Sequence, residues 1–192
     1  MTIVSGPRAP RPASAAPTPT ANATATAVAE PRLEDIWSVL AAIADPEIPA
    51  LSIVDLGMIG YIDHGPGRLR VELLPTFVGC PAVELIRGAM EARLAPLAAD
   101  VEVVVSFEPP WTSDRITSAG RERLRRSGFA PPPSSASRAA GLPDLIQLTA
   151  APACPYCGSS RTRLESPFGP TPCRAVATCL ACRQPFEAFK AI

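Results

Sequence analysis

Residues 68–105 read RLRVELLPTFVGCPAVELIRGAMEARLAPLAADVEVVV, and two kinds of periodicity follow one another along them. Leu69, Val71 and Leu73 alternate with Arg68, Arg70 and Glu72, the period-2 pattern of a half-buried strand. Val83, Ile86, Met90 and Leu94 then recur at helical spacing, with Pro81 suited to a first helical turn, where its missing N–H leaves nothing unpaired. DVEVVV at 100–105 is rich in β-branched residues and is stopped by Pro109 and Pro110. Strand, helix and strand in one continuous stretch predict a right-handed βαβ crossover.

The flanks complete a domain. Met58, Ile59, Tyr61 and Ile62 form a β-like run that turns back at HGPG, 64–67, and predicts an antiparallel hairpin with the strand after it. Further upstream, Leu33, Ile36, Trp37, Leu40 and Ile43 fall on one helical face, with Glu34 and Asp35 in the first turn, where the helix dipole favours acids. Asp45-Pro46 ends that helix, because a residue before proline avoids the α region. Downstream, TSAGRERLRRSG at 117–128 is a basic helix closed by Gly128. The order α-β-β-α-β-α predicts a small α/β domain over 31–129, followed by a smaller C-terminal module.

Composition sets the outer limits. The chain has 192 residues and 24 prolines, too many for uniform structure, so they concentrate in linkers. Residues 1–30 are mostly Ala, Pro, Thr and Ser and cannot bury enough surface to offset ordering entropy; a disordered tail is expected there. Residues 130–150 read as a linker, with DLIQL as a short ordered segment, and 151–192 as a separate module. No apolar run reaches the ~18 residues of a membrane span. No charged start precedes an apolar stretch, so no secretory signal is expected. Six cysteines without one point to a reducing cytoplasm and to metal or reactive thiols rather than disulfides. A formal net charge of zero gives no general pull toward nucleic acid or membrane.

CPYC at 154–157 and CLAC at 179–182 have the spacing C-x2-C-x21-C-x2-C. Each C-x-x-C turn aims two sulfurs at one point, and a hairpin that joins the turns supplies four thiolates in a tetrahedron. Cys154, Cys157, Cys179 and Cys182 are therefore the expected ligands of a structural Zn2+, with a rubredoxin-like iron site as the alternative of equal geometry. Neither pair sits at a strand–helix junction, which argues against thioredoxin-like redox pairs. Cys173, in the hairpin between the turns, is left over as a buried packing residue, a reactive thiol or a further ligand. Five cationic side chains against two acidic ones over 154–192 are nearly offset by the charge of about −2 on a four-thiolate zinc site, which does not invite nucleic acid.

Two sets of residues carry a family resemblance. DPEIPALSIVDLGMI at 45–59 and TFVGCP at 76–81 resemble the iron–sulfur assembly family that includes SufT. WTSDRITSAGRERLRRSGFAPP at 111–132, with SPFGPTPCRA before CLACRQPFEAFK, is similar to the D-subunit family, PaaD (also PaaJ), of bacterial ring-1,2-phenylacetyl-CoA epoxidase systems. The likeness spans 31–192. The chain departs from that family at its end, reading FKAI where a further cysteine often follows Phe-Lys. The resemblance implies a non-catalytic accessory protein of phenylacetate catabolism. Such a protein matures an iron–sulfur or di-iron centre of a partner reductase or oxygenase. The alternative is a zinc-ribbon adaptor that scaffolds the oxygenase complex without metal transfer.

Cys80 is the cysteine that the ribbon does not claim. At the start of a helix its thiol would lie near unpaired N–H groups and the positive end of the dipole, both of which lower a thiol pKa. Context leaves it evenly divided between packing and chemistry; the resemblance favours a transient iron or cluster ligand. Asp45 and Glu47 could assist coordination, although Asp45 and Asp55 also flank turns that an Asp side chain can cap. Thr76 caps the helix entry or lines the site. One thiolate holds a cluster poorly, so a client or a second copy of the chain, as a homodimer, must supply the rest. Arg121 and Arg125 share a helix face that is either simply solvated or suited to an acidic partner protein. His64, the one histidine, is expected in a solvated turn, a poor place for a Cys–His pair. No dinucleotide, phosphate-loop or nucleophile-elbow motif is present.

Overall fold

The computed structural model describes residues 30–133 and 152–190. Residues 1–29 of the tail expected over 1–30, most of the linker with its DLIQL segment, and the last two residues lie outside them. The first module contains α1 (Leu33–Ala41), β1 (Ile59–Gly65), β2 (Arg68–Leu73), α2 (Val83–Leu94), β3 (Asp100–Val105) and α3 (Ser118–Arg126), with one 3-10 turn at Ser113–Arg115. β1 pairs antiparallel with β2, and β2 pairs parallel with β3 across α2, with Leu69 opposite Val101 and Val71 opposite Val103. Among the described residues no helix is long and apolar enough to cross a membrane.

The alternation in β2 puts Leu69, Val71 and Leu73 wholly in the core, against Ile86, Met90 and Leu94 of α2 and Ile36 and Leu40 of α1. Each such side chain contributes roughly 1.5–3 kcal/mol on burial. The opposite face of β2 is less simple than the pattern implies. Glu72 is buried there, over Gly60, where an added Cβ would lie 2.0 Å from its carboxylate. Helix α1 stops at Ala41, before Asp45-Pro46.

Pro46 and Pro49 make the first half of the stretch from Asp45 to Met58 read as a loop in sequence, yet the stretch is much of the core. Ile48, Leu51, Ile53, Leu56 and Met58 are all 3% exposed or less. Two aspartates fold it from within. Asp45 Oδ1 accepts the amides of Glu47 at 2.9 Å and Ile48 at 2.8 Å. Asp55 Oδ2 accepts the Ser52 amide at 2.9 Å and its hydroxyl at 2.8 Å, and pairs with Arg123. These are the local turn bonds expected of Asp.

The second module is a sheet of β5 (Thr162–Ser166), β6 (Arg174–Cys179) and β7 (Pro185–Phe189), paired antiparallel in that order. Its fourth strand comes from the first module. β4 (Phe129–Ala130) lies parallel to β7, with Phe129 opposite Glu187 and Ala130 opposite Ala188. Ala130, expected to open the linker, is therefore inside a sheet. The ribbon returns a side chain: Phe189 joins the first module's core, its ring 5.9 Å from that of Trp111, whose Nε1 donates to Leu56 O at 2.8 Å. The two modules share one core.

Candidate functional site

The ribbon turns bring Cys154, Cys157, Cys179 and Cys182 together, with all four sulfurs within 4.8 Å of one another. Cys154 Sγ lies 3.7 Å from Cys182 Sγ, and Cys157 Sγ lies 3.6 Å from Cys179 Sγ. Tetrahedral Zn–S bonds of about 2.3 Å put sulfurs about 3.8 Å apart, so the donor set fits such a metal. Gly158 and Arg183, each just after the second cysteine of a turn, take positive φ values of 73° and 61°. That conformation bends the chain around the ion and is easy for glycine. The Cys182 amide points at Cys179 Sγ from 3.4 Å and is the main reason that thiol is brought down to about 6. These four positions are those expected of a zinc ribbon.

A second site lies in the seam between the modules. From the first module, Asp45, Glu47, Thr76 and Cys80 line a small cleft; from the ribbon, Thr171 and Cys173 close it. Ile48, Leu56, Phe77, Pro81, Pro172 and Phe189 form its apolar walls. All four candidate residues of the first module thus meet in one place, and the leftover ribbon cysteine joins them. Cys173 is held by Thr171, whose Oγ1 is 3.3 Å from its sulfur, and by the Lys190 amide, which donates to its carbonyl at 2.9 Å.

The electrostatics of Cys80 are opposite to expectation. Helix α2 begins at Val83 with Ala82 as its N-cap, so Cys80 lies in the turn before the helix. Burial pushes its thiol above the ordinary 9.0; the Ala82 amide opposes this, and Cys173, Asp45 and Glu47 add to the rise. Asp45 is likewise held above its usual carboxylate value, first by burial, although the Ile48 and Glu47 amides oppose it. Gly79, at φ 82°, turns the chain into Cys80, with open space where a Cβ would be. Phe77 and Val78 beside it are 38% and 75% exposed.

A raised thiol has a direct kinetic signature, since only the thiolate is alkylated. We expect Cys80 to react with iodoacetamide more slowly at neutral pH than an ordinary cysteine, and its rate to keep climbing above pH 9.0, the ordinary midpoint. Mass spectrometry of the Cys80 peptide across pH measures this; a midpoint at or below the ordinary value would contradict the burial argument.

Arg174 joins the seam's two sides. It is 6% exposed, and it donates to Glu47 Oε2 and to Glu187 Oε2, both at 2.8 Å, and to Glu47 O at 3.2 Å. Its guanidinium also lies 5.4 Å from the centroid of the Phe129 ring. Composition alone did not single it out, because its partner is 127 positions away.

The basic helix is less free than its sequence implies. Arg121 is engaged inside the chain, donating to Ser113 O at 2.6 Å and to Pro132 O. Arg125 pairs with Glu122 on the surface. The two do not form one open cationic face. His64 lies in β1 rather than in a solvated turn, its Nδ1 3.2 Å from Glu30. It pairs with Leu69 near the start of β2, whereas Cys80 follows the other end of that strand. His64 is not among the residues that line the cleft with Cys80.

Comparison with known proteins agrees with both halves. Residues 33–105 match the family described as iron-sulfur cluster assembly protein, and 141–190 match the PaaD zinc beta ribbon domain. The chain is 40% identical over 166 residues, 86% of its length and 96% of the relative's, to an Escherichia coli protein named as a subunit of 1,2-phenylacetyl-CoA epoxidase. It is 32% identical over 87 residues, 44% of its length and 84% of the relative's, to the Fe-S protein maturation auxiliary factor YitW of Bacillus subtilis. A solved DUF59 domain from Bacillus anthracis aligns with TM-score 0.44 and 26% identity, covering 47% of this chain and 89% of that one.

Proposed function

The chain belongs to the PaaD family, an iron–sulfur cluster assembly domain followed by a zinc ribbon, and from this we propose that it is a non-catalytic maturation factor. Its client is the iron–sulfur or di-iron centre of a partner reductase or oxygenase in a phenylacetyl-CoA epoxidase system. The observation that carries this reading is the seam cleft, where a thiol stands among carboxylates, without a histidine base, behind exposed Phe77 and Val78. That is a place to hold a metal for a partner rather than to activate a nucleophile. The ribbon's metal is structural, because cysteine fills all four positions and leaves none for water or substrate, and the match to a zinc beta ribbon domain favours zinc. None of the six cysteines forms a disulfide, which suits work in a reducing cytoplasm.

The test is to produce the client reductase and oxygenase with the wild-type chain, without it, and with Cys80→Ser, and to measure iron and cluster content. We expect the wild type to restore loading and Cys80→Ser to leave the client several-fold deficient while keeping its own zinc. Full loading with Cys80→Ser, together with loss of activity when the ribbon is removed, would favour a scaffold that transfers no metal.

A further inference from the structure

The seam cleft joins thiols from two modules that are far apart in sequence, Cys80 and Cys173. Both pack at the edge of the first module's core. Two residues of the cleft wall each have a side-chain oxygen without a protein partner among the described residues. Asp45 is 7% exposed and uses Oδ1 for the Glu47 and Ile48 amides; its Oδ2 makes no hydrogen bond among the described residues. Thr76 is 6% exposed, and its side chain has no hydrogen-bond partner among the described residues. Both residues line the cleft, so each oxygen is available to a ligand there.

The charge of the cleft selects the ligand's sign. Asp45, Glu47 and the two thiols are its ionisable walls. The adjacent cation, Arg174, is held between Glu47 and Glu187. An anion such as sulfide or phosphate would meet only like charge or neutral thiols. A divalent cation would draw both thiols into the thiolate form, and a mixed sulfur and carboxylate set is borderline in softness, which suits ferrous iron.

We propose that Cys80 and Cys173 together form a two-thiolate site for ferrous iron, with Asp45 Oδ2 as an oxygen ligand and Thr76 supporting it. Binding releases the two thiol protons to solvent and involves no change in oxidation state. The inference rests on the maturation reading and deepens it: the second thiol comes from the chain's own ribbon, so no second copy is needed to complete a sulfur pair. The donors close around the ion on binding, since among the described residues only the ribbon's four cysteines converge as they stand. The remaining positions on the iron stay open toward the rim at Phe77 and Val78, from which a client takes it.

The experiment uses the full chain with zinc in the ribbon, titrated anaerobically with ferrous iron. We expect one iron per chain, and iron-edge X-ray absorption showing two sulfur neighbours plus lighter atoms. Cys80→Ser and Cys173→Ser should each weaken binding at least tenfold and remove one sulfur from the spectrum, with zinc content unchanged. Four sulfurs with zinc released would place the iron in the ribbon and overturn the proposal, as would no sulfur at all. One sulfur in the wild type, or Cys173→Ser binding as tightly as the wild type, would also overturn it. The spectrum of the wild type decides the matter even if a variant fails to fold. Failure here with client loading still dependent on Cys80 would leave the maturation reading intact; iron bound by both cysteines with loading independent of them would do the reverse.

Discussion

Cys179→Ser, or removal of the metal with a chelator, is expected to melt β5, β6 and β7 and to leave the first module's sheet in place. The ribbon's own apolar cluster is small: Ala130, Cys154, Ala177, Cys179, Phe186 and Ala188. Two of those six belong to the four-cysteine cluster and three are alanines, so little burial would remain without a metal to hold the sulfurs. A structural zinc in such a module supplies about 10–16 kcal/mol of apparent binding energy, far more than one Phe and a few Ala can replace. The loss does not stop at the ribbon, because β7 carries Phe189 into the shared core against Trp111. Hydrogen exchange should show loss of protection across 162–189, and Trp111 emission should shift to the red as its neighbour leaves. Unchanged protection of β6 and β7 after full metal removal would show that the metal is not what holds the ribbon.

The second large effect is expected from Arg174→Leu. The side chain it replaces neutralises Glu47 of the first module and Glu187 of the ribbon. Leucine fills part of the space but leaves two carboxylates facing each other with no cation. Removing one partner of a buried pair costs about 3–5 kcal/mol. Both glutamates keep a water-facing side, at 38% and 30% exposed, so we expect the lower end, about 3 kcal/mol. Denaturant unfolding measures the loss. A Glu47→Gln, Arg174→Leu double variant should recover part of it, since one of the unpaired charges is then gone. The seam should also loosen, so Cys173 should become alkylated faster while the ribbon cysteines keep their metal. A loss below about 1 kcal/mol would mark the contact as a solvent-screened surface pair.

How much of this was legible depends on the range of the interaction that sets each feature. The convergence of the four ribbon cysteines was readable because each C-x-x-C turn is local, and a tetrahedral donor set needs only two turns. The strand and helices of 68–105 were readable because a period of 2 or 3.6 records which face meets a core. The core role of residues 45–58 was not readable, since its hydrophobic residues follow turn geometry and no single period. The tilt of Cys80 toward the neutral thiol was missed because the dipole argument is local, whereas burial, Cys173 and Glu47 act through space. Arg121 looked available because its sequence neighbours are polar; its acceptors, Ser113 and Pro132, are backbone carbonyls that no pattern advertises.

From residues alone came the α/β order and the four-cysteine cluster of the ribbon, carried by short spacings along the chain, and the family, carried by the resemblance of its motifs. The union of the halves came from folding in three dimensions. A two-residue strand at Phe129–Ala130, one arginine and one phenylalanine dock the ribbon on the first module. Each is too short or too distant in sequence to leave a periodic trace. Docking is what brings Cys173, more than ninety positions downstream, into the cleft with Cys80. Pairwise contact at that separation depends on how two surfaces fit, a property that local propensity does not encode.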